Sequence, residues 1–207
     1  MLGEVRWERF FEDLEDQLDS EWEAERVALE TEAERLRLSH VSLRDRLVAL
    51  AGETGDGAHA LELGDDTLVR GRISAVGVDW AALHPDGRPG LLVVPLAAVR
   101  TVGVTHRELL RSARPAGERT RASLTERMGL GFVLRDAARR RIPVELRLRG
   151  GRTLTGTIDR AGADHLDLAV REPGSPRRTG DVTGHRMVPF TALSYVRLDE
   201  ASDPSFV

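Results

Sequence analysis

A chain of 207 residues with 41% hydrophobic and 31% charged side chains has the composition of a soluble globular protein of one or two small domains, not of a disordered one. It contains no Cys, which excludes disulfides, thiolate metal ligands and cysteine nucleophiles. Every basic side chain is Arg, so Schiff-base chemistry and the Lys-dependent P-loop are excluded as well.

The net charge of −4 conceals an asymmetry. Residues 1–40 carry thirteen acidic and five basic side chains, which leaves 21 acidic against 25 basic in the remainder. The start lacks an apolar leader, and no run approaches the roughly 18 apolar residues of a membrane span. A cytoplasmic location without membrane contact is therefore expected.

From Val5 to Leu38 there is no Gly or Pro, and Trp7, Phe11, Leu14, Leu18, Trp22 and Leu29 step along one helical face. The expectation is one long acidic helix over residues 1–40. Its apolar stripe needs a partner, either a second copy in a coiled coil or the rest of the same chain. The dimer is the reading adopted, with those six residues as the oligomerisation seam.

A short helix follows, opened by Ser42 with Asp45 three residues on and carrying Leu43, Leu47 and Leu50. Short strands then come at close spacing: around Leu61–Leu63, Val69–Ile73, Val76–Leu83, Leu91–Pro95 and Val99–Val104. Residues 105–122 contain Pro115 and Gly117 and read as a linker. After it the design recurs. Ser123 with Glu126 resembles a helix cap, Leu130 to Arg141 reads as helix, and Pro143 ends it. Strands are expected at Val144–Leu148, Thr153–Asp159, Leu166–Val170, Met187–Phe190 and Tyr195–Leu198, with a long loop from Glu172 to Gly184.

The halves match at a constant offset of 85: Leu61-Glu-Leu63 on Leu146-Arg-Leu148, Val69-Arg-Gly71-Arg-Ile73 on Leu154-Thr-Gly156-Thr-Ile158, and Asp79-Trp80 on Asp164-His165. After the long loop, Val94-Pro95-Leu96 matches Val188-Pro189-Phe190. Helix plus strands is thus a duplicated unit. The expected fold is α+β: the long N-terminal helix, then two repeats at 41–104 and 123–199, each a short helix plus a small five-stranded antiparallel β-barrel, and a tail at 200–207.

Val144-Glu-Leu-Arg-Leu-Arg-Gly-Gly-Arg-Thr-Leu-Thr-Gly-Thr-Ile158, followed by Asp164-His-Leu-Asp-Leu168, resembles the opening strands of Sm-like and SH3-like small barrels. The resemblance implies a bent second strand with Gly at its middle and an RNA-base-binding loop after it. Where Sm proteins carry Asn in that loop, this chain has His165, and Trp80 in the first repeat. The strands that close the Sm pattern are replaced by Met187-Val-Pro-Phe190 and Tyr195-Val-Arg197. The start Trp7-Glu-Arg-Phe-Phe-Glu-Asp-Leu-Glu15, with the Arg-only composition, also resembles an actinobacterial-type protein family, and that resemblance implies no activity.

No catalytic constellation emerges. There is no Gly-x-Ser-x-Gly elbow, and Gly129-Leu-Gly131 lacks the rest of a dinucleotide motif. The six His are scattered; only His165 and His185, with Asp164 or Asp181, fall where a metal would find two imidazoles, and neither a metal nor a cofactor is expected. What remains is a binding surface, with candidates Arg139, Arg140, Arg141, Arg149, Arg152, Arg160, His165 and Trp80. The expectation is a non-catalytic oligomeric adaptor or regulatory scaffold with a protein partner. The alternative is an Sm-like protein that binds RNA or single-stranded nucleic acid through its Arg-rich second repeat.

Overall fold

The computed structural model describes residues 22–23, 26–27, 29–51, 57–113, 123–171 and 182–199. The chain divides into two compact units, Met1–Val41 and Ser42–Val207. In the first unit residues 29–39 are helical, and Glu32–Arg35 and Glu34–Arg37 pair one turn apart. The long helix expected over residues 1–40 is not seen as such: among the described residues, helix is present only at 22–23, 26–27 and 29–39. Trp7, Phe11, Leu14 and Leu18 lie outside the described residues, while Trp22, Leu29 and Leu36 are exposed. Exposed apolar side chains such as these three add little to the stability of a helix, which comes mainly from packing of its apolar face.

The second unit corrects the expectation of two closed barrels. Its ten strands form one open antiparallel sheet. The first half supplies β1 (His59–Leu63), β2 (Leu68–Val76), β3 (Trp80–Pro85), β4 (Leu91–Pro95) and β5 (Val99–Gly103). The second half supplies β6 (Pro143–Leu148), β7 (Thr153–Ala161), β8 (His165–Arg171), β9 (Val182–Pro189) and β10 (Leu193–Leu198). The order across the sheet is β5-β1-β2-β3-β4-β10-β6-β7-β8-β9. Each half therefore has the same internal order, and the halves meet where β4 pairs with β10 at Val93–Val196, Leu92–Arg197 and Leu91–Leu198.

The physical reason lies in β4. Leu91-Leu-Val-Val-Pro95 is apolar at every position, so both of its faces require cover. Leu92 and Val94 pack into the first half's own core with Leu61, Leu63, Ile73 and Leu83. Leu91 and Val93 turn the other way, with Ala75, Trp80 and Ala82, into the core of the second half. A strand needed by two cores does not close a barrel with its own half. Gly90 assists the junction: its φ is +101°, and a Cβ there would stand 2.5 Å from the Leu198 carbonyl oxygen.

Three helices flank the sheet: α1 (Leu43–Ala51), α2 (His106–Ser112) and α3 (Leu130–Arg139). At α1 the Ser42 hydroxyl accepts from the Asp45 N–H at 3.1 Å, as the cap pattern predicts. Helix α2 falls inside the expected linker, where Thr105 and Glu108 form a reciprocal capping box. The Ser123–Glu126 pair also caps reciprocally, but over a single 3-10 turn, Thr125–Arg127, and not over α3. No described helix is long and apolar enough to cross a membrane.

Candidate functional site

The two halves are locally equivalent to the level of single hydrogen bonds. The β2–β3 register shifts between Ile73 and Ala75, and the β7–β8 register shifts between Ile158 and Arg160, so each second strand bends at the same place. The Gly77 N–H donates to the Trp80 carbonyl at 2.8 Å, and the Gly162 N–H donates to the His165 carbonyl at 2.8 Å. The Leu96 N–H donates to the Asp79 carbonyl, and the Phe190 N–H to the Asp164 carbonyl. Trp80 lies over Gly77 as His165 lies over Gly162.

What differs is what each pair touches. The Asp79 carboxylate accepts from the Leu130 N–H at 2.7 Å and so caps α3, a helix of the other half. The indole Nε1 of Trp80, a fully buried residue, donates to the Met128 carbonyl at 2.9 Å. Arg44 completes this grip through the Gly77 carbonyl and the Glu126 carbonyl, both at 2.8 Å. In the second half, the Asp164 carboxylate is 88% exposed, and among the described residues its side-chain partner is its neighbour His165, at 2.8 Å. That contact holds the Asp164 carboxyl below its usual range. Around it the face that is apolar in the first half (Ala75, Trp80, Ala82, Leu91, Val93) is replaced by Arg160, His165, Asp167, His185 and Met187. Met187 is 79% exposed at the position where Val93 is fully covered by β10.

The sequence-derived candidates separate into two groups. Trp80 belongs to the core. Arg139 and Arg140 both pair with Asp136, Arg141 pairs with Asp159 at 3.2 Å, and Arg149 donates to the Ala97 carbonyl at 2.6 Å across the junction. Arg152 and Arg160 are exposed, with no side-chain hydrogen bond or ion pair among the described residues. Among the described residues, no three His, Cys, Asp or Glu side chains cluster as a metal site requires. His165 goes to Asp164, His185 lies 3.8 Å from Asp159, and Asp181 is outside the described residues.

Two polar groups stand out that the sequence alone does not single out. His59 is buried on β1 with neither ring nitrogen hydrogen-bonded, 3.5 Å from the Glu108 carboxylate of α2. The backbone N–H and hydroxyl of Thr105 hold that carboxyl below its usual range. Asp65, in the β1–β2 turn, has a side chain 1% exposed and accepts from Arg147 of β6 at 2.8 Å and from Thr67 at 2.7 Å. Burial pushes the Asp65 carboxyl up, but the hydrogen bonds from Arg147 and Thr67 outweigh it and leave the pKa lowered. A carboxylate with a depressed folded-state pKa adds stability that is present above the ordinary value of about 3.9 and is lost as pH falls through the folded value. The urea midpoint is therefore expected to drop as pH is lowered below about 4. Arg147→Met should flatten that fall, and an equally steep fall in the variant would contradict the assignment.

Comparison of the chain with protein-family models, with curated proteins and with solved structures finds no match.

Proposed function

We propose that this protein is a non-catalytic adaptor or regulatory scaffold that assembles with further copies of itself and binds a protein partner through its two fused repeats. The observation that carries the reading is the contrast between Asp79-Trp80, which grip the neighbouring half at Leu130 and Met128, and Asp164-His165, which stand exposed in the same geometry. A face that has a partner inside the chain in one repeat has none among the described residues in the other. The occupant that fits is a strand edge backed by a helix N-terminus, since that is what β10 and α3 present to the first half.

A second copy offers such a surface. Its β5 and α1 are the counterparts of β10 and α3, and β5 pairs only with β1 among the described strands. Repeating the internal register sets Met187 opposite Val102, Arg186 opposite Gly103 and His185 opposite Val104 of the next copy. Contacts of this head-to-tail kind make rings if they close and filaments if they do not. The exposed face is more polar than the internal one, so association is concentration-dependent and weaker than the intramolecular junction.

Sedimentation equilibrium over a concentration series tests this. Met187→Glu with Asp164→Ala is expected to lower the average mass. An assembly unchanged by that variant but lost in Leu18→Glu with Trp22→Glu would sink the sheet-edge reading and leave the N-terminal stripe as the seam. The nucleic-acid alternative retains Arg152 and Arg160 as uncommitted cations. Supporting the Sm-like resemblance are the second-strand irregularities between Ile73 and Ala75 and between Ile158 and Arg160, each two residues past a glycine.

A further inference from the structure

The seam between the halves also creates a groove that neither half has alone. About 410 Å³ in volume, it runs along the start of β2, the β3–β4 hairpin, β4 and β10. We propose that this groove binds a phosphate monoester with a compact apolar or aromatic organic group. The proposal goes beyond the scaffold reading and does not depend on assembly.

Three guanidiniums from three separate elements line the groove: Arg70 of β2, Arg88 of the hairpin and Arg197 of β10. One carboxylate, Asp86, lines it with them. Arg70 and Arg88 are exposed, and their side chains take no hydrogen bond or ion pair among the described residues. Arg197 is different in kind. Its side chain is only 16% exposed, and its buried Nε is ion-paired with the Glu145 carboxylate at 3.6 Å. A guanidinium held in this way is already ordered, so an oxyanion in the groove meets it without first having to fix a long side chain. Three guanidiniums carried on three different elements suit the several oxygens of a phosphate dianion better than the single plane of a carboxylate.

The rest of the lining is mainly apolar: Leu68, Val69, Pro85, Leu92 and Tyr195, with Thr67 the polar exception. Leu68, more than half exposed, is a large apolar side chain left in water beside the cations. Inorganic phosphate would leave that wall unused, whereas the organic part of a monoester covers it. The second half does not build the same groove from its own strands, because among the described residues β9 has no strand on its outer side to play the part of β10.

The probe is phenyl phosphate, titrated calorimetrically into the full chain at low salt, with inorganic phosphate and phenol as comparisons. Phenyl phosphate is expected to bind more tightly than either, with an affinity that falls as salt rises. Arg70→Glu with Arg88→Glu should weaken it roughly tenfold or more. Arg152→Glu, which alters an exposed arginine away from the groove, should leave it unchanged. Both variants are read beside a thermal melt and a sedimentation run, which keeps failure here distinct from failure of the assembly. No binding by the unaltered chain, equal loss in Arg152→Glu, or inorganic phosphate binding as tightly as phenyl phosphate would each overturn the proposal.

Discussion

Trp80→Ala is expected to destabilise the Ser42–Val207 unit by about 3–5 kcal/mol, the range for emptying a buried aromatic site. Trp80 is fully buried within a core built from both halves, beside Leu91 and Val93 of the first and Leu130, Val133 and Val196 of the second. The substitution removes the ring together with its hydrogen bond to the Met128 carbonyl, which keeps the Val78 N–H as its donor at 2.9 Å. The site cannot collapse easily, because β3 is held by β2 on one side and β4 on the other. Urea unfolding followed by circular dichroism should retain one transition with a lowered midpoint. A loss under about 1 kcal/mol, or a second half that melts separately, would show that the halves do not share this core.

Gly156→Ala is expected to cost about 3 kcal/mol for the opposite reason, too much matter in place of too little. A Cβ at Gly156 would lie 2.0 Å from the Ala169 carbonyl oxygen, and one at Gly71 would lie 2.3 Å from the His84 carbonyl oxygen. Both obstacles are backbone atoms of the adjacent strand, so relief requires β7 to part from β8, or β2 from β3. Gly150 serves as the control: nothing lies within 4 Å of a Cβ there, and its φ is not positive. Gly150→Ala should be neutral, or stabilise by up to about 1 kcal/mol through the unfolded chain. Equal melting temperatures for the two Ala variants would contradict the crowding argument.

These two sites also mark what was legible in the sequence. The pattern Val69-Arg-Gly-Arg-Ile73 and its repeat pointed to a bent second strand. The irregularity falls two residues past each glycine, between Ile73 and Ala75 and between Ile158 and Arg160, and most strands fall close to their expected positions. The closure of two separate barrels was the wrong inference, although a signal against it was present. Leu91-Leu-Val-Val-Pro95 has no alternation, whereas its counterpart His185-Arg-Met-Val-Pro189 opens on two polar residues. A strand apolar at every position asks for cover on both faces; reading it only as a strand hid the junction. Strand β9 begins at Val182, inside the expected loop, because Thr183-Gly-His-Arg186 has no apolar period and pairs only with β8.

Among the candidate residues, burial decided what composition could not. Trp80 and His165 occupy equivalent backbone positions, but only tertiary packing separates a core ring from an exposed one. The arginines seemed a patch because they are neighbours in sequence, and in space Arg139, Arg140 and Arg141 go to local carboxylates while Arg149 goes across the junction. Asp65 lies in a turn, where Asp is common for backbone reasons, and its ion pair with Arg147 spans 82 positions, beyond any local pattern. Arg70, Arg88 and Arg197 share no motif at all, because the groove they line forms only once β10 lies against β4.

The place of β4 between two cores has a consequence for how the chain is made. Its partner strand, β10, follows it by roughly a hundred residues, and at about 5–20 residues per second a ribosome takes about 5–20 s to supply it. During that interval Trp80, Leu91 and Val93 of the finished first half have no second half to cover them. The nascent chain thus presents a greasy, unpaired strand edge to the cell until its last strand emerges, and the yield of native protein depends on what shields that edge in the meantime.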